Sequence, residues 1–140
     1  MKEDIVQELL CDLNRIRGDS AYWFPFAKLN DNVPVIAYDI EKIYAEDRID
    51  LLENIMKACN IDLVTTVQLD HGLVFEGENI NALLHERDED GYEFPRCVET
   101  YYFDETKQWL IYVSHEGTIT FTGEAIVLQA KNTIPEKYLY

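Results

Sequence analysis

Cysteine is scarce in this 140-residue chain. The three that occur, Cys11, Cys59 and Cys97, are odd in number, far apart and without any CxxC pair. That excludes a complete disulfide framework and the common zinc patterns. Each lies in an apolar, periodic segment, where a free thiol acts as a small hydrophobe, so all three are expected reduced and mostly buried. Long hydrophobic runs are missing as well: no stretch approaches the ~20 consecutive apolar residues of a membrane helix. Met1-Lys2-Glu3-Asp4 leads into no basic-then-apolar signal segment. The expectation is one soluble domain spanning 1–140, cytoplasmic and without membrane association.

The vocabulary of common active sites is also absent. There is no GxxxxGK[ST] or GxGxxG to cradle a nucleotide, and no GxSxG elbow. His71, His85 and His115 show no HxH or HxxxH spacing, so metal ligation is not expected. Ser114-His115-Glu116 contains hydrolase residue types, but neighbours on a strand point to opposite faces, whereas a triad converges from separate positions. Asp88, Asp90 and Glu93 fail the twelve-residue EF-hand pattern, with Gly91 misplaced and the bidentate glutamate missing. No catalytic residue, metal or cofactor is therefore nominated, and the chain is read as a non-enzyme.

Basic residues are few: 12 Lys and Arg against 27 Asp and Glu, a net charge of −15. A field of that sign repels nucleic-acid phosphates and anionic lipid and attracts basic proteins. The excess is uneven, with net −5 over residues 1–60 and −10 over 61–140. It peaks at Glu86-Arg87-Asp88-Glu89-Asp90-Gly91-Tyr92-Glu93, where five acids surround one base. Crowded like charges destabilise a loop unless a basic partner relieves them. Glu86, Asp88, Glu89, Asp90 and Glu93 are thus candidate steering residues for such a partner, and Tyr92 is the candidate anchor.

What the sequence does contain is periodicity. Ile5, Leu9, Leu13 and Ile16 mark an amphipathic helix from about Lys2 to Arg17. Tyr22-Trp23-Phe24-Pro25-Phe26 is an aromatic cluster that reads as a core lid. Residues 33–38 read as a short strand, placed at a sheet edge by Pro34. A second helix is expected from Asp47, as N-cap, to Cys59, with Leu51, Leu52, Ile55, Met56 and Cys59 forming its apolar face and Asn60 as a left-handed cap. A strand is expected over 61–69, a short one at Leu73-Val74-Phe75, and a helical turn over 78–85. Val98 to Phe103, Trp109 to Val113 and Thr118 to Phe121 form an antiparallel meander. The final segment 124–130 fits helix and strand equally well. Alternation puts Tyr101 and Phe103 on one face and Tyr102 on the other. If one face of the sheet is wet, some of Tyr101, Tyr102, Trp109, Tyr112 and Phe121 are exposed for a partner. The fold class expected is α+β, with N-terminal helices packed on an antiparallel sheet that carries the C-terminal β-meander.

The run from Trp109 to Gly123 has the texture W-x-x-Y-x-S-H-E-G-x-I-x-F-x-G. It resembles the C-terminal hairpin of small, acidic bacterial proteins of the toxin-immunity kind. The resemblance covers about a tenth of the chain and supplies no catalytic residues. It implies a protein that binds a toxin, such as a nuclease, in the cytoplasm of the producing cell. Acidity suits that role, because a negative protein can occlude a basic substrate groove. Two other classes compete: a small-ligand or regulatory domain with a pocket lined by the sheet and the 22–26 cluster, and an enzyme with a site built from scattered carboxylates.

Overall fold

Six segments rich in β-branched and aromatic residues pair into one antiparallel sheet in the computed structural model, which describes residues 34–68, 73–85, 99–106, 108–114 and 116–140. The strands are β1 (Val35–Asp39), β2 (Leu63–Gln68), β3 (Leu73–Asn79), β4 (Thr100–Phe103), β5 (Leu110–Val113) and β6 (Thr118–Thr122). Their spatial order is β1-β6-β5-β4-β2-β3. The expected meander β4-β5-β6 forms the centre, β1 lies beside β6, and the β2–β3 hairpin extends the sheet beyond β4. Among the described residues, four α-helices accompany the strands: α1 (Ile40–Ala45), α2 (Ile49–Ala58), α3 (Ile80–Leu84) and α4 (Glu124–Thr133), followed by a 3-10 turn over Glu136–Tyr138. The class is α+β. The helix expected over Lys2 to Arg17 and the aromatic cluster at 22–26 lie outside the described residues.

Register explains which side chains share a face. Thr66 pairs with Tyr102, Tyr102 with Ile111, Ile111 with Phe121 and Phe121 with Ile36. Of that row, Tyr102, Ile111 and Phe121, with Ile36 packed against them, join Leu52, Ile55 and Met56 of α2, Ile126 and Val127 of α4, and Ile80 and Leu84 of α3 in one core cluster. The next row, Val67, Tyr101, Tyr112 and Thr120, points to the opposite face. It is buried too, with the Tyr101 and Tyr112 rings stacked at 4.7 Å between centroids. Tyr101 and Phe103 share a face and Tyr102 takes the other, as alternation requires. Neither face of the meander is wet at these positions: Tyr101, Tyr102, Trp109, Tyr112 and Phe121 are all buried. These aromatics are core, because the central strands are covered on both sides.

Local chemistry accounts for the element ends. Asp39 caps α1 by accepting the Lys42 amide at 3.0 Å, a helix too short to show a period in sequence. The expected cap of α2 is shifted by one residue. Asp47 is itself left-handed (φ 55°), and Arg48 occupies the cap without a side-chain bond, pairing instead with Asp50 at 3.0 Å. Asn60 adopts the left-handed conformation expected of it (φ 56°). The segment after β6 is helical: Gly123, at φ 128°, turns the chain, and Ile126, Val127 and Ala130 face the core. Cys59 is partly buried at the end of α2, and burial pushes its thiol up from its ordinary 9.0. Cys11 and Cys97 lie outside the described residues. No helix among the described residues is long and apolar enough to cross a membrane.

Candidate functional site

The two edges of the sheet are finished differently. Along β1, the C-terminus closes the edge: Leu139 bridges Tyr38, and the Tyr140 amide donates to the Ala37 carbonyl at 3.1 Å. Tyr138 anchors this closure, fully buried, with its hydroxyl donating to Glu46 Oε1 at 3.1 Å. Lys137 Nζ donates to the same oxygen at 3.0 Å, and its ammonium lies 4.9 Å from the Tyr138 ring centre. The Lys137 bond holds the Glu46 carboxyl below its ordinary value and, reciprocally, holds the Lys137 ammonium above its own.

At the other end, β3 pairs only with β2 among the described residues. Val74 faces Val67 and is buried, which holds the strand to the sheet. Leu73 and Phe75 point to the other face, opposite Gln68 and Thr66, and stay 45% and 43% exposed. Leu63, at the start of β2, is 57% exposed. The β2–β3 register slips between Val64 and Thr66, with Gly77 at φ 70° taking the extra residue on β3. A bulge of this kind needs a left-handed residue and sharpens the local twist. Glu76 and Glu78 flank it. Between Lys57 and Arg87 the sequence has no lysine or arginine and five carboxylates, at Asp62, Asp70, Glu76, Glu78 and Glu86. This edge, unpaired among the described residues, is therefore apolar at Leu73 and Phe75, acidic at Glu76 and Glu78, and supplied with no cation by its own segment.

Beside this hairpin, an open groove of about 500 Å³ lies between α2 and α3, lined by Glu53, Asn54, Lys57, Asp62 and Asn81 with Ile61 as its apolar member. Asn79 donates to Asp62 at 2.9 Å, and His85 Nε2 lies 3.1 Å from Glu53 Oε1. Small-molecule pockets are mostly apolar and enclosed; this groove is neither. Among the described residues, no three His, Cys, Asp or Glu side chains group in a way that could hold a metal ion.

The residues nominated from sequence fare unevenly. Glu86, Asp88, Glu89, Asp90, Tyr92 and Glu93 lie outside the described residues, as do His71 and His115. His85 is exposed and paired with Glu53. Ser114 staples a turn: its Oγ is 2.7 Å from Thr118 Oγ1 and accepts the Glu116 amide at 3.2 Å. Sequence reasoning missed Leu73, Phe75, Glu76 and Glu78 as surface. Their signal was an apolar triplet followed by acids in a segment without cations, but which strand ends the sheet is set by distant pairings. Comparison with protein families, curated proteins and solved structures finds no match to this chain.

Proposed function

We propose that this chain is a non-enzymatic acidic binding protein that neutralises or regulates a basic protein partner, acting as an immunity protein against a toxin in the producing cell's cytoplasm. The observation that carries the reading is the β3 edge, where exposed Leu73 and Phe75 sit in a stretch with five carboxylates and no lysine or arginine. Apolar side chains supply affinity once desolvated, while surrounding charge selects the sign of the partner and speeds its approach. The carboxylates at 86–93 continue the same charge along the chain. The polar, open groove between α2 and α3 favours a small-ligand reading less.

The test is to identify a basic protein encoded next to this gene and to reconstitute it with this chain. The expected outcome is a stoichiometric complex in which the partner loses its toxic activity, with affinity falling steeply as salt is raised from about 50 to about 500 mM. A partner that stays fully active in the complex, or no complex at low salt, contradicts the proposal.

A further inference from the structure

We infer that the edge of β3, unpaired among the described residues, receives a basic, extended segment of the partner as an added antiparallel or parallel strand. This deepens the binding reading above and rests on it. An edge strand presents unpaired backbone N–H and C=O groups, and proteins ordinarily cover, shorten or charge such edges. Here one edge is covered by Leu139 and Tyr140, while the other keeps two large apolar side chains in solvent. Backbone pairing supplies affinity in strand addition, and alternate side chains supply selectivity.

Charge decides between the possible occupants. A second copy pairing through β3 would bring Glu76 and Glu78 toward their own counterparts, on chains that each carry −15. Like charges facing across strands are destabilising, so self-pairing is disfavoured. The complementary occupant has apolar side chains against Leu73 and Phe75 and lysine or arginine beside Glu76 and Glu78. The bulge at Gly77 breaks the regular spacing of the edge, which confines regular pairing to Leu73–Glu76 and leaves Glu78 as a charge contact beyond it.

The experiment uses the full chain at low salt and a fluorescent peptide of alternating lysine and valine, beside the same peptide N-methylated at every second residue. N-methylation keeps charge and side chains but removes backbone donors, so it separates strand addition from simple charge attraction. The expected result is binding of the parent peptide, with the N-methylated analogue about tenfold weaker or worse. Amide exchange at residues 73–76 should slow on binding. Phe75→Ser and a Glu76→Gln, Glu78→Gln pair should each weaken the parent peptide. The comparison of the two peptides on the unaltered chain does not depend on how those variants fold. Equal binding of both peptides overturns strand addition while leaving the basic-partner reading in place. Binding of neither overturns both. A dimer of the chain that Phe75→Ser dissociates makes a second copy the occupant and also overturns the inference.

Discussion

Gly123 shows how much a single atom can matter where β6 gives way to α4. Its φ of 128° lies where side chains rarely go, and a methyl group there would stand 2.5 Å from the Gln108 carbonyl oxygen and 3.0 Å from Trp109 Cα. The obstacle is backbone, which cannot swing aside. Gly123→Ala should therefore destabilise the protein by about 3 kcal/mol, combining conformational strain with overpacking. Urea unfolding checks this, with a lower midpoint and an unchanged slope expected; an unshifted midpoint would contradict the geometry. Some residue roles could be read in advance. Asn60 was legible as a left-handed cap because short polar side chains tolerate that region. Asp47 and Arg48 were not: Asp47 sits in a left-handed turn whose amide bonds back to Tyr44, and that depends on α1, a helix only six residues long. The meander aromatics show the same limit. Alternation gave their faces correctly, yet whether a face is wet depends on what packs over it.

At the scale of elements, the C-terminal clasp on β1 is held by chemistry that titrates. Glu46 is held below its ordinary 4.5, chiefly by the hydrogen bond from Lys137, and Lys137 is held above its ordinary 10.5 by the same bond. The carboxylate's contribution is complete above 4.5 and disappears as pH falls through its depressed folded value. The ammonium's contribution is complete below 10.5 and disappears as pH rises through its elevated folded value. The clasp is thus fully charged across the whole neutral range and loosens only at the extremes. Lys137→Met should move the Glu46 titration upward toward 4.5 and speed exchange of the Tyr140 amide, both readable by NMR. A Glu46 titration that stays put would show that Lys137 is not its main partner. Strands and helices with a clear period were legible at this scale, including the edge position of β1, where Pro34 gave the signal. β3 was expected to be shorter than it is, because the bulge at Gly77 interrupts its alternation. The segment from Glu124 was undecided because its apolar residues fit either period; the turn at Gly123 and the packing of Ile126 and Val127 against α2 and the sheet settle it as helix.

For the whole molecule, charge was the most legible property and topology the least. A net −15 is a count, and its meaning for partners follows from electrostatics alone. The order β1-β6-β5-β4-β2-β3 is a set of non-local pairings that no local pattern encodes. Only that order puts Leu73, Phe75, Glu76 and Glu78 at a sheet edge that is unpaired among the described residues, while the tyrosines that a wet face would expose are buried. The proposed function makes the acidic, partly apolar end of the sheet a docking surface for a basic protein. The most direct test is the association rate with that partner at low salt, measured for the native chain and for one in which Asp62, Glu76, Glu78, Glu86, Asp88, Glu89, Asp90 and Glu93 are replaced by their amides. Electrostatic steering commonly raises such rates by tenfold or more. The expected result is association slowed by about tenfold or more, with dissociation changed far less and the difference closing at high salt. An unchanged association rate at low salt would mean that the charge serves solubility alone, and would contradict the account.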